Sequence, residues 1–149
     1  MARAWAEAQL IEDGFERVYI ELDWYDGPRA GIADIGGRPH YFECLDYDEA
    51  DEYRVWPAYG EALAWEFEQW RIFVSWNQRY RSGEIGTESH PGHGGIGSRY
   101  DELTLLLAPH RRSPSDTRTL MGEIRIDDGD RYRPEGTNVW FRWRSSDPR

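Results

Sequence analysis

The sequence predicts an α+β fold: a curved antiparallel sheet, a meander able to curl into a partial barrel, packed on a Trp-rich helix. Three observations carry this reading. Strand-length segments follow one another between residues 18 and 45 with only short turns between them. A long aromatic segment of helical period occupies the middle of the chain, and two further strands end it. Strands grouped apart from helices argue for α+β rather than an alternating parallel α/β sheet.

Residues 2–13 form an Ala-rich stretch that predicts a short helix stopped by Gly14. From Val18 the period becomes two. Val18, Ile20, Leu22 and Trp24 alternate with Tyr19, Glu21, Asp23 and Tyr25, the pattern of a half-buried strand. Asp26-Gly27-Pro28 supplies turn chemistry, and a second strand runs from Arg29 to Ile35. Gly36-Gly37 then predicts a two-residue hairpin turn, since both positions can take positive φ, with a third strand from Arg38 to Leu45. Residues 43–52 carry six carboxylates, predicting a solvated loop. Residues 53–56 make a short strand stopped by Pro57.

The main helix is predicted over Glu61 to Arg81, where Leu63, Phe67, Trp70 and Val74 fall at helical spacing and Trp65, Ile72, Phe73, Trp76 and Tyr80 widen the apolar surface. A loop with six glycines follows over 82–98; long loops in small domains are functional or disordered. A second helix is expected from Arg99 to Ala108 with Ser98 as its N-cap, followed by a polar linker over 110–117. Leu120, Gly122, Ile124 and Ile126, then Val139, Phe141 and Trp143, alternate as two closing strands, and 145–149 reads as a tail. No repeat or boundary divides the 149 residues, which are near the usual size of one domain.

Eight Trp, nine Tyr and five Phe can supply much of a core, at about 150–250 Å² each. They argue against disorder. Net charge is −10, and all 18 basic residues are Arg. Without Lys there is no Walker A lysine, kinase-type lysine, Schiff base or Ser-x-x-Lys dyad. The acidic balance disfavours nucleic acid, which needs a basic footprint, and suits a basic protein partner. The single cysteine, Cys44, excludes an internal disulfide and a Cys-rich zinc site, and its mid-strand position reads as core. The first residues lack the apolar region of a signal peptide, and no run approaches the roughly 18 apolar residues of a membrane span. The expected compartment is the cytoplasm, with no membrane association and no cofactor.

Four constellations can carry chemistry. His40, Asp26 and Arg29 could converge at a sheet edge: an Asp orients an imidazole, the imidazole acts as general base, and Arg29 clamps an anion. The bland alternative is a capped turn with a locally paired Arg29 and a strand histidine. His90 and His93 have a spacing that can hold a metal, but the helical His-Glu-x-x-His pattern is missing. Gly94 and Gly95 precede a helix whose N-terminus could cradle an anion. Tyr25, Trp140 and Trp143 are aromatic ligand-binding candidates, whereas Trp70 at helical spacing reads as core.

The run Tyr25-Asp26-Gly27-Pro28-Arg29-x-Gly31-x-Ala33-x-x-x-Gly37-x-Pro39-His40 resembles a motif of small bacterial proteins. In that group too it is followed by a Trp-rich helix, like Trp70 here, a His-Pro loop, like His90-Pro91, and a helix start like Arg99-Tyr100-Asp101-Glu102-Leu103. The resemblance covers about Val18 to Leu107. It implies a bacterial source and no particular activity.

Two functions remain open. The first is a binding module, immunity- or adaptor-like, offering Asp46, Asp48, Asp51 and Glu52 to a basic partner. The second is a small-molecule enzyme or sensor with an aromatic pocket, His40, Asp26 and Arg29 at its mouth and the 84–97 loop as lid. Fold alone does not choose between them.

Overall fold

The computed structural model of the chain describes residues 4–46 and 49–146. Its elements in order are β1 (Ala4–Trp5), α1 (Glu7–Glu12), β2 (Glu16–Trp24), β3 (Pro28–Ile35), β4 (Arg38–Asp46), β5 (Glu49–Pro57), α2 (Gly60–Arg81), α3 (Ser98–Leu107), β6 (Arg118–Asp127), β7 (Tyr132–Arg133), β8 (Gly136–Thr137) and β9 (Val139–Ser145). Two single 3₁₀ turns, Thr87–Ser89 and Pro91–His93, lie between the longer helices. The fold is α+β. Among the described residues, β6-β5-β4-β3-β2-β9 are hydrogen-bonded in that order, and β9 pairs again with β6. The antiparallel sheet therefore closes into a six-stranded barrel, with β1 added parallel to β6. The predicted meander is complete as a barrel because β6 and β9 bridge its two free edges.

The Gly36-Gly37 turn has φ of 62° and 78°, as a tight hairpin requires. Its two amides donate to the carboxylate of Glu16 at 3.0 and 2.9 Å. The bore is filled by Val18, Ala33, Ile35, Phe42, Cys44, Tyr53, Val55, Val139 and Phe141, with Trp143 packed against them. Phe42, Tyr53 and Phe141 meet edge to face at 5.1–5.7 Å. A bore this narrow demands small residues opposite large ones. At Gly31 a Cβ would lie 2.0 Å from the Ile20 carbonyl oxygen and 3.0 Å from the Phe42 ring.

That close approach coincides with a register shift in β2. Val18 pairs with Ala33, but Ile20 pairs with Ile32. The predicted alternation across Val18–Trp24 is therefore broken: Val18 enters the bore, while Ile20 joins Ile32, Tyr41, Trp56, Trp70 and Val74 in a second core under α2. Further shifts fall between Glu21 and Asp23 and between Asp23 and Trp24.

Five other expectations are corrected. The N-terminal helix is one short turn set, Glu7–Glu12, preceded by strand β1, because Trp5 packs with Leu10, Phe15 and Trp140. The acidic loop at 43–52 is two strands to Asp46 and from Glu49, with Cys44 and Tyr53 paired and buried. Within it, Glu43 faces Arg54 across the ladder, 3.1 Å away. Ser98 does not cap α3: Gly97 holds that position with no side-chain cap. Residues 110–117 are no free linker, since Arg111 is tied to α2. Ser145 belongs to β9, paired with Leu120, rather than to a tail.

Gly31→Ala is expected to cost about 1–3 kcal/mol through overpacking of the bore, read as a lowered urea midpoint at unchanged m-value. Wild-type stability in that variant would show that β2 can yield.

Candidate ligand-binding site

The shifts in β2 let consecutive residues, Ile20 to Trp24, line one cleft, where a regular strand would present alternate ones. Opposite them stands α2. The cleft measures about 230 Å³ and is edged by the rings of Trp24, Trp70, Phe73, His90 and Tyr132, with the carboxylate of Glu21. Trp70 and Phe73 are fixed by ring contacts with Tyr132 at 5.7 and 5.0 Å, and the indole N–H of Trp70 donates to the carbonyl of Arg133. The loop after α2 brings in His90, whose ring lies 4.5 Å from that of Trp76. The Gly92 amide donates to His90 Nδ1 at 2.9 Å, so the neutral ring carries its proton on Nε2. Burial and the neighbouring His93 hold this imidazole below its ordinary pKa.

Glu21 is the unusual member. Its side chain is 6 % exposed. Arg131 Nη2 donates to Oε1 at 3.1 Å, while Oε2 has no hydrogen-bond partner. Among the described residues only one other buried side-chain polar atom shares that condition, Nε of Arg29. Burial pushes the Glu21 carboxyl above its ordinary value, against the opposing pull of Arg131. A carboxylate kept dry with half its capacity unused is costly in a purely structural role. The guanidinium of Arg131 lies 4.3 Å from the Trp24 ring centre and 4.9 Å from that of Tyr132.

A second buried carboxylate, Glu66, also lines the cleft and is fully used. Glu66 accepts from Arg111 Nε at 2.8 Å, Arg111 Nη2 at 2.7 Å and the Tyr41 hydroxyl at 2.8 Å. Arg111 also donates to Gln69 Oε1, and Gln69 donates to the Tyr100 carbonyl and the Thr104 hydroxyl. This network pins α2 to the barrel and to α3. Burial, then Glu66, drives the Tyr41 hydroxyl far above its ordinary pKa.

The residues singled out in the sequence lie elsewhere, except His90. His40 and Arg29 do not converge. His40 pairs with Ala33 and Pro57, and its Nδ1 sits 2.8 Å from the Arg38 carbonyl oxygen. Arg29 lies beside Ala30, the partner of Glu43, so roughly three to four strand residues, about 10–13 Å, separate the two along the sheet. Arg29 is buried at the end of the bore near Asp26, whose carbonyl oxygen is 3.5 Å from its Nη2. Asp26 takes φ 53° in the turn, and Tyr25 is exposed with Arg29 over its ring. Trp140 is a core residue whose indole N–H donates to buried Asp127. Trp143 stacks on Phe141 at 4.3 Å and donates to the Asp34 carbonyl. Neither tryptophan lines the cleft.

His93 stacks on His90 at 5.3 Å, and among the described residues no group of three metal-ligating side chains forms. Gly94 and Gly95 have φ of 75° and 72°, but the Gly95 amide donates to Asp101 of α3, which occupies the anion position itself. Asp46 and Asp51 are exposed at the β4–β5 tip and Glu52 is half-buried opposite Met121. Asp48 lies outside the described residues.

Sequence reasoning passed over Glu21, Glu66, Gln69, Arg111 and Arg131. The one available signal was Glu66 and Gln69 falling inside the apolar stripe of α2. Glu21 sat in the polar half of an alternation that the register shift cancels. Comparison of the chain with protein-family models, curated proteins and solved structures gives no match. No described helix is long and apolar enough to cross a membrane.

Two expectations follow from these carboxylates. Glu66→Ala or Arg111→Ala should each cost about 3–5 kcal/mol, since either strands a buried charge. The double variant should cost clearly less than their sum, and additive losses in denaturant titrations would show the pair is not coupled. For Glu21, a carboxyl raised in the folded state favours folding fully below its ordinary value of 4.5, and that contribution is lost as pH rises through the folded value. Glu21→Gln should therefore melt higher than wild type at pH 7, with the gap closing towards pH about 4. A gap that widens in acid would reverse the assignment.

Proposed function

We propose that this protein binds a small molecule carrying a cationic nitrogen, in the cleft between β2 and α2. The observation that carries the reading is Glu21: a side chain 94 % removed from solvent, with one oxygen lacking any donor, set among aromatic rings. Aromatic faces attract cations, by about 0.5–1 kcal/mol when exposed and about 2 when desolvated. A buried carboxylate among such faces selects a positively charged head over a neutral one. The net charge of −10 enriches small cations near the surface.

Other concavities support this less. A depression of about 560 Å³ between Trp56, Tyr59 and Pro114 is larger. Neither of the two unpartnered buried atoms lies on it. The exposed carboxylates at the β4–β5 tip can meet a basic surface, but they are solvated and leave nothing buried unsatisfied. The reading thus takes up the aromatic pocket expected from the sequence while replacing its polar residues.

Trp24 and Trp70 line the cleft, so tryptophan fluorescence reports on it directly. Titration with benzylamine, choline and methylguanidine, with benzyl alcohol as the neutral control, should give saturable quenching for at least one cation. The neutral control should give none, and Glu21→Gln should abolish the response. A wild-type protein indifferent to all three cations, or a variant that binds them equally well, would overturn the proposal.

A further inference from the structure

We infer that the ligand is headed by a guanidinium group and that Arg131 holds its place in the free protein. This rests on the cleft reading above and names its ligand class. The contacts of Arg131 are those a guanidinium ligand would make: a planar cation over Trp24 and over Tyr132, with one N–H on Glu21 Oε1. The molecule shows the completed version of the same pairing at Glu66, where Arg111 engages both carboxylate oxygens. At Glu21 the pairing stops halfway, and Oε2 is left over. A planar fork matches both oxygens of a carboxylate, whereas an ammonium is a point charge. A free guanidinium can therefore take Glu21 more fully than Arg131 does.

Arg131 is also placed to leave. Its side chain is 42 % exposed, so the guanidinium borders solvent on the side away from Glu21. Its backbone stays put without the side chain, because its carbonyl accepts from the Asn138 amide. The surrounding loop is anchored by Asp127, which accepts from Trp140, Gly129 and Arg133. Asp23 also lines the cleft and adds to its negative field. Displacement therefore asks for one side chain to swing out, with the loop unchanged.

The test uses the full chain, with methylguanidine and methylammonium as probes of wild type, Arg131→Ala and Arg131→Gln. A competitor that fills a site about nine-tenths of the time weakens apparent affinity about tenfold. Both variants should therefore bind methylguanidine roughly tenfold more tightly than wild type, and more tightly than they bind methylammonium. Adding Glu21→Gln to either should abolish the gain. Unchanged or weaker binding, or a preference for methylammonium, would overturn the inference. If wild type responds to cations but the variants gain nothing, the cleft reading stands and Arg131 is no competitor. If none of the folded proteins binds either probe or the wider cation set, both fail.

Discussion

The narrow bore of the barrel governs everything outside it. Four aromatic rings, Phe42, Tyr53, Phe141 and Trp143, fill a space closed by six strands, and the wall must give way somewhere. It gives way at Gly31, where the backbone of Ile20 comes too close for any side chain. The register shift of β2 belongs to the same place. Once that strand slips, Ile20 turns to the helix and the next four residues run along a cleft. The site is thus a by-product of how the core is packed, not a loop added to a finished scaffold.

The long helix meets this surface with a mixed face. Ala62, Trp70 and Val74 are buried as apolar contacts, but Glu66 and Gln69 are buried beside them. Their partners come from far away in sequence, Tyr41 on the barrel and Arg111 after α3. A helix held by directional bonds at its centre has a fixed rotation as well as a fixed distance. That rotation sets where Trp70 and Phe73 present their rings. One carboxylate in this region is fully satisfied and serves architecture. The other, on the facing strand, is half satisfied, with Oε1 paired to Arg131 and Oε2 unpartnered.

The fold class was legible because strand-length segments bounded by turn residues, and one long segment of helical spacing, are grouped in the sequence as they are in the fold. The Gly36-Gly37 turn, the helix at 60–81 and a strand over 120–126 each rest on local chemistry and appear at their expected places, but the expected alternation of that strand does not hold, since Ile124 is exposed and Asp127 buried. Closure was not legible, since it depends on β6 pairing with β9 and β5, which no local pattern encodes. The site was largely illegible for a related reason. Glu21 looks like the polar half of an ordinary strand until the register shift is known. Arg111 and Arg131 look like loop arginines until their partners at distances of 45 and 110 residues are placed. His40 and Arg29 looked close because short turns suggest proximity, but antiparallel strands carry residues away from a turn at both ends.

Strand β1, two residues long, has its own implication. Strand β6 shares one edge between β5, over Arg118–Met121, and β1, over Ile126–Asp127. Among the described residues, Ala4 and Trp5 cover that stretch of backbone. They are fastened chiefly by Trp5, which packs with Leu10, Phe15 and Trp140 and lies under the guanidinium of Arg125 at 4.0 Å. An unguarded strand edge is a template for self-association. Trp5 accordingly acts as a latch on the seam of the barrel: a protein clipped behind it would show two more residues of bare edge, and its copies would have a place to join.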